Sequence, residues 1–157
     1  MPKTFHDSAD WNGIALESVD VGAGNKPKSL TVDGYQYATQ GEMRLATILA
    51  HMGIAFTPDV RIQLSAADGR ERFFVPDFVF DRQPFIWTAR GKRKLIHGIE
   101  AKGKTRAGVF SEKALENVRL LQEQRGIAIL LLSNSQIKHF WKKMKLPLHP
   151  AILNRMP

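Results

Sequence analysis

The sequence predicts a mixed-sheet α/β fold in the order helix, three strands, helix, strand, helix. Three observations predict it. The 157 residues, 43% hydrophobic and 24% charged, suit one compact soluble unit with a real core rather than disorder, a fibre or a repeat array. Apolar spacing switches from helical to strand period and back along the chain. Residues 127–132 form an unbroken apolar run of strand length between two helical patterns. Such a strand is covered on both faces, which requires helices packed on a sheet.

Each element has its own signal. Residues 1–34 carry Asp7, Asp10, Glu17, Asp20 and Asp33 against Lys3, Lys26 and Lys28, with Gly22, Gly24 and Pro27 interrupting. They read as an N-terminal arm or peripheral strand, and 35–157 as a single domain ending in a basic helix. Over 40–52, Met43, Leu45, Ala46, Ile48, Leu49 and Met52 recur at helical spacing, with Gly53 as a stop. A strand at 54–64 ends at the turn signal Ala67-Asp68-Gly69, and a second at 72–80 completes a hairpin. Pro76 has no ladder donor and places that second strand at an edge or a bulge. Residues 81–94 read as a long basic connection and 95–102 as the third strand. A helix over 111–125 buries Ala114, Leu115, Val118, Leu120 and Leu121 and stops at Gly126. Ser133-Asn134-Ser135 caps a last helix over 136–145, and Pro147 and Pro150 end regular structure.

Lys and Arg total 23 against 15 Asp and Glu, a net charge of +8 with pI near 10.0, which points to a polyanion and first to nucleic acid. The chain has no cysteine, so disulfides, thiolate metal sites and cysteine nucleophiles are all excluded. Any metal must be held by carboxylates or histidines. His6, His51, His97, His139 and His149 show no paired ligand spacing, so zinc is not expected. No apolar run reaches the ~18 residues of a membrane span, and the first residues lack a secretory leader's apolar stretch. The expected location is intracellular, cytoplasmic or nucleoid, without membrane contact. No Walker loop, dinucleotide fingerprint or G-x-S-x-G elbow is present, so no nucleotide cofactor is expected.

The candidate chemistry lies on the strands. Alternation projects Glu100 and Lys102 from one face while Ile99 and Ala101 face the other. Asp77 sits on the preceding strand, and pairing in register brings its carboxylate to the neighbourhood of Glu100. An acid-x-Lys triplet alone is expected about once by chance in such a chain and reads equally as a surface ion pair. The conjunction carries more weight. Pro76-Asp77 falls in one aromatic strand, Glu100-Ala101-Lys102 in the next, and Glu42 opens a helix upstream, where an acid also compensates the helix dipole.

These residues resemble the PD-(D/E)xK nuclease superfamily over about 40–133. The resemblance implies a restriction-endonuclease-like core, a central mixed β-sheet flanked by helices in the order α-β-β-β-α-β. It implies that Asp77, Glu100 and the Ala101 carbonyl hold Mg²⁺, with Mn²⁺ as a substitute, and that Glu42 ligates directly or through water. Lys102 would orient the attacking water. One metal or two remains open. The chain lacks the Gln-x-x-x-Tyr motif of exonuclease-like relatives, which favours an endonuclease, and the Asp77-to-Glu100 connection is longer than usual. The implied activity is metal-dependent DNA endonuclease, structure-selective like junction resolvases or partner-directed like transposon-end-cleaving subunits, with a role in DNA recombination.

Between Arg82 and Arg106 eight cations face the single acid Glu100, so the positive field is expected to centre on the site. Arg90, Lys92, Arg93, Lys94, Lys104 and Arg106 are candidate phosphate contacts. Lys142 and Lys143 join them from the last helix, where Phe140, Trp141 and Met144 read as core. Asn117 and Gln122 read as neutral helix-surface residues. A homodimer or a targeting protein is a candidate partner beside DNA, with Tyr35, Tyr37 and the 151–153 tail as candidate dimer surface. The alternative function is a non-catalytic basic nucleic-acid-binding module whose acids form surface ion pairs.

Overall fold

The computed structural model describes residues 34–151 in full and, before them, the backbone at 3–4, 17–18 and 31–32. Short strands β1 (Lys3–Thr4), β2 (Glu17–Ser18), β3 (Thr31–Val32) and β4 (Tyr35–Gln36) precede helix α1 (Gln40–His51). Then come β5 (Phe56–Pro58), β6 (Val60–Ser65), β7 (Glu71–Phe74), β8 (Phe78–Phe80), β9 (Phe85–Ala89), β10 (Lys92–Ile96) and β11 (Gly98–Ala101). Helix α2 (Glu112–Arg125), β12 (Ile129–Leu132), helix α3 (Asn134–Lys143) and β13 (Leu148–Pro150) complete the fold. No helix among the described residues is long and apolar enough to cross a membrane.

The molecule is mixed α/β. Its central sheet has the order β12-β11-β8-β5, with β11 and β12 parallel and the remaining pairs antiparallel. A second sheet runs β1-β2-β6-β7, a third β10-β9-β13, and β3 pairs with β4. Helix α1 lies on β11 and packs along α3, while α2 lies on β12 and β6. Phe78, Phe80, Leu45, Ile48, Leu49, Ile99, Leu121 and Ile127 are fully enclosed between these layers, each contributing about 1.5–3 kcal/mol of burial.

The helices start and stop where side chains permit. Thr39 Oγ1 accepts from Glu42 N while the Glu42 carboxylate accepts from Ala38 N and Thr39 N at 2.9 and 3.0 Å, a reciprocal capping box. Ser133 and Gln136 repeat the device on α3, which therefore begins two residues earlier than its pattern predicts. Gly126 ends α2 at φ 67°, a left-handed conformation that favours glycine.

Three strand expectations are corrected. The 54–64 strand breaks at Asp59, whose φ of 51° turns the chain out of the central sheet into the second one. The 72–80 strand breaks at Pro76, and 95–102 divides at His97. The supposed connection over 81–94 is largely the hairpin β9–β10, closed by Arg90 and Gly91, both at positive φ (52° and 75°) as a two-residue primed turn requires. Pro147 does not end regular structure, because β13 follows it and pairs with β9.

Candidate active site

The strand ends assemble the site. Phe78 lies opposite Ile99 in the antiparallel β8–β11 ladder, so continuing the register sets Asp77 across from Glu100 on the same face. Bonded pairs alternate, as the Phe80 N–H to His97 O bond of 2.9 Å indicates, and the next bonded partner of Ala101 would be Pro76. Proline has no N–H to give. The ladder opens there, and the Asp77 carboxylate takes the place of a backbone acceptor, receiving Ala101 N–H at 2.8 Å. The Lys102 N–H turns the other way, to Leu132 O at 2.9 Å, so Ala101 N–H and C=O both face the β8 side. The Ala101 carbonyl is thereby pointed where no ladder donor exists.

Two more acids join this end of the sheet. Glu42, held by its capping box at the start of α1, lies close enough for its charge to act on both Asp77 and Glu100. Its Oε2 serves the helix cap. Asp59, one strand beyond Asp77, donates its N–H to Asp77 O at 3.1 Å and accepts from the Tyr35 hydroxyl. Glu100, Asp77 and Asp59 therefore end three adjacent strands in a row, with Glu42 beside them. Sequence reading missed Asp59. The signal was a second Pro-Asp dipeptide, Pro58-Asp59, at the end of the strand that pairs with Pro76-Asp77.

The electrostatics follow from crowding and burial. Burial, then the charges of Glu42 and Glu100, raise the Asp77 carboxyl well above the ordinary range, against which the Ala101 N–H pulls downward. Glu100 is only 7% exposed and burial pushes it up to about 7. Lys102 opposes that rise, while Glu42 and Asp59 add to it. Lys102 itself is exposed and lies just past β11 rather than on it. Among the described residues no cation forms an ion pair with Asp77, Glu100 or Glu42. Neither are three Asp, Glu, His or Cys side chains among the described residues gathered at the spacing of a finished metal cage.

The expected cations divide into separate places. Lys104 and Arg106 occupy the exposed loop after Lys102, where Lys104 Nζ lies 5.3 Å from the Phe110 ring centre. Arg90, Lys92, Arg93 and Lys94 ride on the β9–β10 hairpin of the third sheet, whereas Glu100 belongs to the central one. The expected cations are thus divided between the loop after β11 and the third sheet. Lys142 and Lys143, exposed at the end of α3, belong with the hairpin, since Phe140 packs edge-on to Trp87 at 5.4 Å and Thr88 N–H bonds Pro147 O at 3.0 Å.

Several remaining expectations are corrected. Tyr37 and Ala151 are buried and Tyr35 is engaged with Asp59, so they form no open dimer surface, and residues 152–153 lie outside the described residues. Asn117 is half-buried, and its Oδ1 is enclosed with no hydrogen-bond partner among the described residues. Leu115, assigned to the core face of α2, is 50% exposed. His97 is structural, its Nδ1 accepting Ala128 N–H at 3.0 Å, and burial lowers its pKa to about 4. No protein-family model, curated protein or solved structure matches this chain.

Proposed function

We propose that this chain is a metal-dependent DNA endonuclease with a restriction-endonuclease-like fold. One observation carries the reading: Pro76 opens the β8–β11 ladder at Ala101, and Asp77, Glu100 and Glu42 converge there with no ion-pair partner among the described residues. Uncompensated carboxylates so close together repel and resist ionisation. A divalent cation relieves that repulsion.

The donor set fits Mg²⁺. It is all hard oxygen, and Mg²⁺ commonly takes one or two protein carboxylates while retaining waters, so no finished cage of three is required. Asp77, Glu100 and the Ala101 carbonyl would hold the ion, with Glu42 adding a ligand directly or through water; Mn²⁺ would substitute. When bound, the ion supplies Lewis-acid stabilisation of charge building on the phosphate. Lys102, exposed beside Glu100, orients the attacking water and balances the charge of the phosphorane-like transition state. Glu42 fixes the start of α1 against the cluster, and Tyr35 fixes Asp59. With Asp59 the cluster holds four acids, sufficient for either a one-ion or a two-ion arrangement.

Supercoiled plasmid and branched DNA junctions, incubated with Mg²⁺ and with EDTA, test the proposal. The expected result is cleavage with Mg²⁺ alone, reduced about a hundredfold or more by Asp77→Ala or Lys102→Ala. Preference for junctions supports the structure-selective branch, and cleavage only after a second protein is added supports the partner-directed one. The competing reading, a basic binding module, draws support from the four hairpin cations, which ride on a different sheet from the acids. It gains if the protein binds DNA regardless of Mg²⁺ and cuts none of these substrates, Mn²⁺ included.

A further inference from the structure

The β9–β10 hairpin changes width along its length. Strand β13 pairs with β9 only as far as Leu148 opposite Trp87, so beyond Trp87 and Thr88 the sheet narrows to two strands. That two-stranded end carries Arg90 at its turn and Lys92, Arg93 and Lys94 on the returning strand. All four are exposed, and none has an ion-pair partner among the described residues. Arg90, with its positive φ, holds a conformation uncommon for a residue other than glycine.

Register assigns the faces. Lys92 opposite Ala89 and Lys94 opposite Trp87 share the face that leads back into the core, while Arg93 opposite Thr88 lies on the other. A surface that rests flat on one strand of a polyanion needs its cations on one face. This ribbon carries them on both faces and at its tip. Protection of an edge strand from aggregation requires a charge or two, not a charged rim on both sides.

We propose that the two-stranded end of β9–β10 inserts into the major groove of duplex DNA, with cations on its two faces meeting the phosphates of the two groove walls. The major groove is about 12 Å wide and admits a two-stranded ribbon. Strands about 4.8 Å apart with side chains on both faces fill that width. Lys142 and Lys143 at the ribbon's base would flank the groove. Helix α3 links the two regions: Gly41 at its near end lies beside Asn134 and Ala101, and Phe140 further along touches Trp87. The inference rests on DNA being the ligand proposed above, but not on cleavage.

Fluorescence anisotropy of a labelled 30-base-pair duplex with the full chain in EDTA, titrated with salt, reads binding without catalysis. Replacing all four cations, R90Q/K92Q/R93Q/K94Q, is expected to flatten the slope of log affinity against log salt by about three to four, with unchanged circular dichroism. The pairs K92Q/K94Q and R90Q/R93Q are each expected to remove about half of that change, and wild type to bind the duplex at least tenfold tighter than either single strand. An unchanged slope in the quadruple variant, loss confined to one pair, or equal affinity for single strands would overturn the groove insertion. Because the assay contains no divalent ion, each of those results is distinct from a failure to cut in the nicking assay.

Discussion

Glu100 and His97 lie three residues apart and pull stability in opposite directions with pH. The Glu100 pKa is raised to about 7 in the folded state, so its neutral form is favoured there and stability falls as pH rises from about 4.5 to 7. The His97 pKa is lowered to about 4, so stability is full above about 6.5 and falls as pH drops toward 4. Each effect amounts to about 3 kcal/mol at full extent. Asp77, also raised by burial and by its acidic neighbours, acts in the same sense as Glu100, so the two acids together outweigh the histidine. Denaturant titrations in EDTA between pH 4.5 and 8 are expected to show wild-type stability falling as pH rises. Glu100→Gln, which leaves Asp77 set against His97, is expected to flatten that fall. His97→Asn, which keeps an acceptor for Ala128 N–H, removes the opposing effect and is expected to steepen it. Parallel profiles for the two variants would show that burial does not shift these groups. Neither effect was legible in the sequence, where His97 and Glu100 are merely at odd spacing along one strand; the break at His97 and the enclosure by β12 set their environments.

At the level of elements, two residues control how β8 meets β11. Pro76→Ala supplies the N–H that the ladder lacks at Ala101. The new hydrogen bond, about 1 kcal/mol, offsets the greater entropy of the unfolded chain, about 0.4–1 kcal/mol, so stability should change by less than about 1 kcal/mol. Cleavage and cation affinity should nonetheless fall, since the freed N–H competes for the carbonyl. Equal activity in this variant would remove the carbonyl from the account. Gly98 has the opposite character. A Cβ there would lie 2.2 Å from Phe78 O, an approach that only displacement of the strand can relieve. Gly98→Ala should cost about 4 kcal/mol or more by thermal or chemical denaturation; a loss under about 1 kcal/mol would contradict the strand spacing. All three helices were readable from spacing and caps, because capping is local in sequence. The breaks at Asp59 and His97 were not, because each depends on which neighbouring strand the chain must reach. The β9–β10 hairpin was hidden by its own cations, which erase the alternation that would otherwise announce a strand, though Gly91 after Phe85-Ile86-Trp87-Thr88 was a usable turn signal.

Across the described residues, the acids lie at the ends of central strands, while Arg90, Lys92, Arg93 and Lys94 ride on the β9–β10 ribbon of another sheet. Composition gave the excess of positive charge but could not say where it lies, since chain neighbours at 82–106 are carried away from each other by two strands. The acids at 42, 77 and 100 were legible from their order, whereas Asp59 emerges only once β5 is seen beside β8. The central claim is that this acidic strand-end cluster holds a divalent cation. Mn²⁺ titration followed by electron paramagnetic resonance, which counts free against bound ion without any nucleic acid, tests it most directly. Wild-type protein should bind Mn²⁺ saturably, Mg²⁺ should compete, and Asp77→Asn should lower affinity at least tenfold while the protein stays folded. Equal Mn²⁺ binding by the wild type and Asp77→Asn, or none by either, would contradict it.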